Sequence, residues 1–322
     1  MSVDIFVVVE HMEGVVADVS FEMLGRARGL AEATGGQVVA VALGQDLKFA
    51  AELRAADAVH LCQDASLAHY TPEAHQRALE AILRARSPRV TLVANTAMGM
   101  DLAAGLSGAL AWPLVAYCRD VRIDGERLLA TSQIYGGKIL AEAEVEGANA
   151  LLSVLSGSFP ADAGRKGGSP VIEKVSPPAT AAARVRFKRL IEPEGGDVDI
   201  TREAVLVSVG RGIGSRENIA IVEELAAALG GALSASRPIV DQGWLPKTRQ
   251  VGKSGMTVKP KLYVAVGISG APEHLEGMRG AETIVAVNTD PNAPMFTMAH
   301  YGVVGDLFEV LPRLTERIKG AK

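Results

Sequence analysis

Two glycine-rich turns, each directly after an apolar run, are the segments of this sequence best suited to bind a ligand. The first, residues 210–215 (GRGIGS), follows AVLVSV and precedes IAIVEELAAAL. The second, residues 267–271 (GISGA), follows LYVAV and precedes PEHLEGM. A strand, a glycine-rich turn and a helix in this order let backbone N–H groups approach a phosphate at the helix N-terminus. Two such turns in one small region predict an extended ligand that carries a pyrophosphate.

The first turn departs from the dinucleotide-binding pattern G-x-G-x-x-G. Ser215 replaces the third glycine, and Ser236-Arg237 stands where an NAD-binding fold has an acidic residue for the ribose hydroxyls. Ordinary NAD binding is therefore disfavoured, and a tight turn without any ligand is the alternative. Arg211 favours an anionic ligand, because its always-charged guanidinium group lies between two glycines.

A polar loop predicted over residues 237–259 supplies further candidates. Arg237 is a cation that we expect in the cleft at the carboxyl ends of the strands, where open α/β sheets bind ligands. The segment RQVGKSG, residues 249–255, resembles the end of a P-loop. It lacks the upstream glycine, the preceding strand and the following helix, which argues against ATP hydrolysis. Its glycines still suit close approach to a flat ligand, and Ser254 can supply one hydrogen bond; an exposed loop is the alternative.

Three polar residues lie near the ends of other predicted elements. His274 is expected in the first turn of a helix, and Asn288 ends the strand TIVAVN. Asp306 precedes a helix, and N-capping explains it even if it also contacts a ligand. A Ser-His-Asp set, a metal-ligand cluster and a catalytic carboxylate pair are not evident in the sequence. A redox-cofactor site is therefore favoured over a hydrolase.

The elements that position these residues begin with an alternation of strands and helices. The first half contains the apolar strands VDIFVVVE, QVVAVAL, AVHLC and RVTLVAN, and helices are predicted over residues 20–34, 46–55, 72–86 and 100–110. Gly35-Gly36 is the expected C-cap of the first helix, and Thr71 with Pro72 begins the third. Continuous apolar strands between helices predict a parallel sheet covered on both faces.

The middle of the chain changes pattern. PLVAYCRDVRI, RLLATSQIY, KILAEAEV and ANALLSVL follow one another without a helix, so these four strands are predicted to be antiparallel. Residues 158–180 predict a loop, VRFKRLIEP predicts a strand, and the acidic segment Glu192–Asp199 predicts the domain boundary.

The whole pattern predicts an α/β protein of two domains, residues 1–195 and 200–322, each with a mainly parallel sheet flanked by helices. The second domain is Rossmann-like, with the strands AVLVSV, ALSAS, LYVAVG, TIVAVN and YGVVGD and helices over residues 217–229, 272–278 and 307–319.

Composition narrows the function class. The 322 residues are 48% hydrophobic and 22% charged with a net charge of −4, which is ordinary for a globular α/β protein and argues against nucleic acid as a partner. Cys62 and Cys118 lie in apolar runs without metal-type spacing, so buried free thiols are expected. No apolar run is long enough to span a membrane, and no signal or transit peptide is visible. A cytoplasmic, not membrane-embedded protein is therefore expected.

Six ordered segments resemble the α-subunit of electron transfer flavoprotein. They cover nearly all of residues 205–318 with the family's spacing: GRGIGSREN, SASRPIVDQGWLP, RQVGKSG, LYVAVGISGAPEHLEGM, TIVAVNTDPNAP and YGVVGDLFEVLP. The first domain resembles the family more weakly, through its strand–helix layout and its VVVEH start. The resemblance implies an FAD held mainly by the second domain, a first domain that contacts partners, and a heterodimer with a β-subunit. It also implies an electron carrier between an acyl-CoA-type or other dehydrogenase and a quinone reductase or other acceptor.

The resemblance also implies a set of FAD-binding residues. In this family Arg237 lies against the isoalloxazine, Ser254 lies near N5, and His274 lies near the pyrimidine edge of the ring. The complete implied set is Arg211, Ser236, Arg237, Val251, Gly252, Lys253, Ser254, Ser269, Gly270, Ala271, Pro272, Glu273, His274, Asn288, Asp306 and Leu307, of which the last three contact the adenosine end. A reduced flavin gains negative charge near N1 and C2=O, so a fixed cation and a donor there raise its potential.

Two departures from the family pattern leave alternatives open. Glu273 adds a carboxylate where a neutral amide is common, and Lys253-Ser254 replaces the common Gln-Thr pair. The second departure resembles electron-bifurcating members that oxidise NADH with another FAD in the β-subunit. A stand-alone NADP- or nucleotide-binding reductase module, with Arg237 reading a 2′-phosphate, is the alternative of a different class.

Overall fold

The computed structural model describes residues 3–176, 184–190 and 198–321. The chain divides into two compact units, Met1–Arg189 and Leu190–Lys322. The division lies beside the boundary predicted at Glu192–Asp199, although residues 192–197 of that segment lie outside the described part of the chain.

The first unit alternates strands and helices before it turns to consecutive strands. Its strands are β1 (Ile5–Val8), β2 (His11–Met12), β3 (Val15–Val16), β4 (Val38–Gly44), β5 (Ala58–Gln63), β6 (Val90–Ala94), β7 (Leu114–Asp124), β8 (Arg127–Ile134), β9 (Ile139–Glu144), β10 (Ala150–Val154) and β11 (Val171–Lys174). Its helices are α1 (Asp18–Thr34), α2 (Pro72–Arg86), α3 (Ala97–Leu110) and the single turn α4 (Ala161–Gly164), with short 3₁₀ helices at Lys48–Glu52, Ala65–Leu67 and Tyr135–Gly137.

Nine of these strands form one sheet in the order β11-β5-β4-β1-β6-β10-β7-β8-β9. All neighbours from β11 to β7 are parallel, and β8 and β9 continue the sheet as antiparallel strands. Apolar side chains of the sheet pack against α1 on one face and against α2 and α3 on the other. This arrangement confirms the predicted mainly parallel sheet covered by helices. Cys62 and Cys118 are buried free thiols, as predicted.

The predicted antiparallel direction of ANALLSVL is wrong. The strand β10 inserts between β6 and β7 and is parallel to both, with Ala150 opposite Val90. All five of its residues are buried, and a strand that is apolar on both faces belongs in the interior of a parallel sheet. The prediction failed because no helix precedes β10 in the chain: the chain enters β10 directly after the consecutive strands β7, β8 and β9.

Other parts of the first unit also differ from prediction. The helix expected over residues 46–55 is only the 3₁₀ turn Lys48–Glu52, because Leu47 and Phe49 both face the core and would lie on opposite sides of an α-helix. The loop expected over residues 158–180 contains α4 and the edge strand β11, and residues 177–180 lie outside the described ones. The described part of VRFKRLIEP forms no strand; Phe187 stacks on His69 with the ring centroids 3.8 Å apart.

The second unit is a smaller doubly wound sheet. Its strands are β12 (Val205–Val209), β13 (Ala232–Ala235), β14 (Leu262–Val266), β15 (Thr283–Asn288) and β16 (Tyr301–Val304). Its helices are α5 (Ile219–Leu229), α6 (Arg237–Asp241), α7 (Pro272–Met278) and α8 (Leu307–Gly320), with 3₁₀ helices at Arg211–Ile213, Lys247–Arg249 and Pro294–Thr297. The strands are all parallel in the order β13-β12-β14-β15-β16, which confirms the predicted Rossmann-like sheet.

Two predictions in this unit need correction. The loop expected over residues 237–259 contains α6 and the 3₁₀ helix Lys247–Arg249, since Pro238 sits in the first turn of α6 and fits a helix start. The helix expected from Glu217 begins at Ile219, because residues 211–213 form a 3₁₀ turn and the Asn218 side chain donates to the Ile213 carbonyl at 3.0 Å.

The two glycine-rich turns pack directly against each other at the carboxyl ends of β12 and β14. The backbone N–H of Gly212 donates to the Gly267 carbonyl at 3.0 Å. A Cβ atom on Gly210 would lie 2.4 Å from the Gly267 oxygen, and one on Gly212 would lie 2.8 Å from the Gly267 Cα. No side chain fits between the turns, so these glycines are required by packing as well as by any ligand.

We expect Gly210→Ala to destabilise the second unit by about 1–3 kcal/mol, because the added methyl group overpacks a backbone contact that has no flexible side chain to yield. The matched control is Gly29→Ala in the exposed middle of α1, where a Cβ atom meets nothing within 4 Å. That change should stabilise the helix by about 0.5–1 kcal/mol. Denaturant unfolding of both variants measures the difference; equal effects of the two substitutions would contradict the packing argument.

Candidate functional site

A cavity of about 590 Å³ opens at the carboxyl ends of β12, β13, β14 and β15. Open parallel sheets bind ligands at this edge. Most of the predicted site residues line the cavity: Arg211, Ser236, Arg237, Val251, Gly252, Lys253, Ser254, Ser269, Ala271, Glu273, His274 and Asn288. Residues from five separate chain segments therefore meet in one place, and four of these segments lie at the carboxyl ends of the parallel strands β12, β13, β14 and β15.

Four predicted residues do not line this cavity, and each has a structural task. Gly270 packs on the Met295 backbone, where a Cβ atom would lie 2.3 Å from the nitrogen. Pro272 begins α7, and Leu307 is buried in the core of the unit. The Asp306 carboxylate caps α8 by accepting a hydrogen bond from the Phe308 N–H at 2.9 Å. N-capping by Asp306 is thus confirmed, and the ligand contacts of all four stay predictions.

The first glycine-rich turn uses much of its own hydrogen-bonding capacity. The N–H of Ile213 donates to the Gly210 carbonyl at 3.1 Å, and that of Gly214 donates to the Arg211 carbonyl at 3.2 Å. With the Gly212 N–H bound to Gly267, this turn offers fewer donors to a phosphate than its sequence pattern implies. The N-cap of α7 is Ala271, which forms no side-chain capping hydrogen bond.

Sequence reasoning missed several lining residues, of which Asp241 is the most consequential. Its carboxylate pairs with the Arg237 guanidinium, with Nε and Oδ2 3.2 Å apart, across one turn of α6. The four-residue spacing of Arg237 and Asp241 would indicate an ion pair on a helix, but this segment was predicted to be a loop. The other missed lining residues are Pro238, Asp290 and Ala293, whereas the lining residues Gly212, Gly267 and Ile268 belong to the two predicted glycine-rich turns.

The Ser254 hydroxyl is oriented by a buried amide. Gln250 is 4% exposed, and its Nε2 donates to the Ser254 Oγ at 2.9 Å. The Gln250 backbone is fixed in turn, because its carbonyl accepts from the Met256 N–H at 2.7 Å. The Ser254 oxygen therefore acts as an acceptor toward Gln250, and its own hydrogen is available for a group in the cavity.

The loop that carries Ser254 lies against the first turn of α7. The N–H of Lys253 donates to the Glu273 carbonyl at 2.8 Å. Gly252 has a φ of +136° and approaches the same carbonyl closely, since a Cβ atom there would lie 2.9 Å from its oxygen. The two segments that would flank a flat ligand are thus held together by their backbones.

His274 is the buried polar group of the cavity wall. It is 6% exposed, and its Nε2 lies 2.9 Å from the hydroxyl of the fully buried Tyr263. Burial lowers the pKa of His274 to about 4, against a smaller opposite effect of the Val251 backbone. The imidazole is therefore neutral at neutral pH. Its Nδ1 atom is buried without a hydrogen-bond partner among the described residues.

Both ends of the Asn288 side-chain amide form hydrogen bonds with the backbone. Its Nδ2 donates to the Ile268 carbonyl at 3.0 Å, and its Oδ1 accepts from the Asp290 N–H at 3.0 Å. This amide connects the end of β15 to the second glycine-rich turn and so shapes the wall of the cavity.

Comparisons with known proteins agree with this geometry. Residues 5–180 match the family described as Electron transfer flavoprotein domain, and residues 199–279 match the Electron transfer flavoprotein FAD-binding domain. The chain is 38% identical to the electron transfer flavoprotein subunit alpha of Megasphaera elsdenii over 99% of this chain and 97% of that protein. It is also 38% identical to the Mycobacterium tuberculosis subunit alpha over 99% of both, and 36% identical to the FixB protein of Azotobacter vinelandii over 98% of this chain and 91% of that protein.

The chain belongs to the electron transfer flavoprotein α-subunit family. The resemblance drawn from the six segments is confirmed, and with it FAD as the cofactor. Electron transfer flavoprotein α-subunits pair with a β-subunit. Within the described ranges, no helix has the length and apolar character needed to cross a bilayer.

The cavity suits FAD on physical grounds as well. Its volume lies within the range of about 300–1,000 Å³ usual for ligand pockets. It places cationic and acidic side chains, an oriented hydroxyl and a buried imidazole around one space with apolar and polar walls. These are the groups that a flat, polar-edged and anionic cofactor requires.

The stability of the second unit should fall as the pH falls from about 6.5 toward about 4. The ordinary pKa of a histidine is 6.5, whereas the buried His274 titrates at about 4. Between these values the unfolded chain binds a proton that the folded unit does not, so this contribution is present above pH 6.5 and is lost on acidification. One such group changes the free energy of unfolding by up to about 1.4 kcal/mol per pH unit.

Urea unfolding followed by Trp244 fluorescence, with Trp112→Phe as the background, measures this dependence in the second unit. His274→Gln should flatten the pH profile over this interval. Identical profiles with and without His274 would show that another group controls the acid sensitivity.

Proposed function

We propose that this α-subunit forms a heterodimer with its β-subunit and carries electrons from an acyl-CoA-type or other dehydrogenase to a quinone reductase or another acceptor, with Arg237, Ser254 and His274 tuning the flavin. The observation that supports this proposal is the meeting of a cation, an oriented hydroxyl and a neutral buried imidazole in one cavity. None of these groups is arranged as a general base for a substrate. The bound FAD supplies the one- and two-electron chemistry.

Arg237 supplies positive charge where a reduced flavin becomes anionic. Its side chain is 68% exposed and pairs with Asp241, so water and the carboxylate both weaken its field. The guanidinium still favours the reduced form over the oxidised one, since only the former gains negative charge. Asp241 therefore determines how strongly the Arg237 charge acts on the flavin.

Ser254 and His274 act at closer range through hydrogen bonds. The Ser254 O–H is left available by Gln250, and the neutral His274 adds no further positive charge to the cavity. Fixed donors of this kind are stronger in a site with little water than at a surface. They complement Arg237 because they stabilise developing charge at defined atoms of the ring.

We expect Arg237→Ala to lower the flavin potential and Asp241→Asn to raise it. A tenfold change in the preference for the reduced over the oxidised form corresponds to about 59 mV for a one-electron step. Potentiometric titration of the reconstituted heterodimer measures both shifts. Arg216→Ala is the matched control, because Arg216 is an exposed arginine of the same unit that does not line the cavity. An unchanged potential in Arg237→Ala would mean that this side chain does not face the ring.

Co-expression of the chain with a β-subunit of the family should give a yellow complex that contains FAD. A complex that stays colourless after FAD is added would refute the proposal. Flavin analysis of the same sample tests the bifurcating alternative, which the Lys253-Ser254 pair supports. Two flavins per heterodimer together with NADH oxidation would establish that alternative, and one flavin without NADH oxidation would exclude it.

A further inference from the structure

The structure assigns to Gln250 the role of making the Ser254 hydroxyl a hydrogen-bond donor toward the cavity. Gln250 does not line the cavity, so it is a positioning residue that acts through Ser254. The bearing of this hydroxyl on the flavin rests on the proposed function, whereas the hydrogen bond between the two side chains is a property of this chain alone. The same hydrogen bond accounts for the segment RQVGKSG, which resembles the end of a P-loop but lacks the strand and helix of one.

Residues 250–256 form a closed loop. The Met256 N–H donates to the Gln250 carbonyl at 2.7 Å, and the Gly252 N–H donates to the Met256 carbonyl at 3.1 Å. Gly255 makes this closure possible, because a Cβ atom on it would lie 2.3 Å from the Gln250 carbonyl oxygen and 2.9 Å from the Gln250 Cγ. The second glycine of RQVGKSG is therefore required by the placement of Gln250 rather than by a phosphate.

The backbone donors of this loop are largely used inside the protein. Besides the two N–H groups that close the loop, those of Val251 and Lys253 donate to carbonyls of β13 and α7 at 2.9 and 2.8 Å. A P-loop instead leaves its N–H groups to cradle phosphate oxygens. The neutral polar side chain that this loop adds to the cavity lining is that of Ser254.

The Gln250 side chain reaches across the loop to Ser254. Its Nε2 donates to the Ser254 Oγ at 2.9 Å, and the glutamine is only 4% exposed. An amide nitrogen is a donor only, so the Ser254 oxygen is the acceptor and its own hydrogen does not point at Gln250. That hydrogen is left for a group in the cavity, which Ser254 lines.

The chemical identity of residue 250 thus sets the polarity of the site at Ser254. Glutamate has the length and nearly the shape of glutamine, but its ionised carboxylate only accepts hydrogen bonds. In Gln250→Glu the Ser254 hydrogen would turn to the carboxylate, and the lone pairs of the hydroxyl oxygen would face the cavity. A donor stabilises the negative charge that a reduced flavin gains, and lone pairs oppose it. Gln250 therefore decides whether Ser254 favours or opposes reduction of the flavin.

Nitrogen-15 NMR of the full chain, labelled at its glutamine side chains, tests the hydrogen bond in the absence of flavin. The Gln250 signals are assigned by their loss in Gln250→Met. Ser254→Ala should speed the exchange of the Gln250 amide hydrogens with water about fivefold, as expected for the loss of one hydrogen bond of ordinary net strength. Gln76 is the internal control, because its Nε2 donates to the Gly105 carbonyl at 3.1 Å in the first unit and its exchange should not change. Unchanged exchange at Gln250 would overturn the inference.

Gln250→Glu in the FAD-loaded heterodimer tests the consequence for the flavin. It should lower the flavin potential both by its negative charge and by withdrawing the Ser254 donor, whereas in a Ser254→Ala background only the charge effect remains. We therefore expect Gln250→Glu to reduce the preference for the reduced flavin about tenfold more in the wild-type background than in Ser254→Ala. Gln76→Met is the matched control and should leave the potential unchanged in both backgrounds.

Equal shifts of the potential in the two backgrounds would overturn the inference, because the glutamate would then act by its charge alone. Failure of the wild-type complex to bind FAD would instead refute the proposed function and leave the exchange result standing, so the two failures are distinguishable.

Discussion

The contact between the two glycine-rich turns is the constraint on which the site of this α-subunit depends. Gly210 and Gly212 meet Gly267 backbone to backbone, at distances that exclude a Cβ atom. This contact draws the carboxyl ends of β12 and β14 together, and the turn N–H groups are partly consumed in making it. The glycines that resemble a dinucleotide fingerprint therefore act first as spacers between strands. The side chains that face a ligand therefore belong to the residues around these glycines.

Those groups are held in place by backbone hydrogen bonds more than by their own side chains. The Val251 N–H donates to the Ala235 carbonyl at 2.9 Å and the Lys253 N–H to the Glu273 carbonyl at 2.8 Å, so one loop spans from β13 to α7. Ser254 and His274 are then aimed by one buried partner each, Gln250 and Tyr263 in turn. A site assembled from separate segments in this way keeps its geometry only while the small sheet beneath it stays intact.

The sequence predicted the parallel sheets and most of the cavity lining because both follow from local patterns. Apolar runs between helices define strands, and polar residues after successive strands meet at one edge. It failed at β10, since direction in a sheet is set by long-range pairing rather than by the strand's own residues. It missed Asp241, Gln250 and Tyr263 because their roles depend on a partner's position. Tyr263 in particular sits in a run that is indistinguishable from core.

The charge around the cavity is balanced rather than strongly positive. Three cationic and three acidic side chains line it, namely Arg211, Arg237, Lys253, Asp241, Glu273 and Asp290. The positions of the individual charges, rather than a net positive charge of the cavity, therefore favour an anionic cofactor. Glu273 supplies one of these three carboxylates, and a neutral side chain at this position would leave the lining with one excess cation. Salt and water screen the exposed Arg237–Asp241 pair, whereas burial shields the hydrogen bond between Tyr263 and His274 from both.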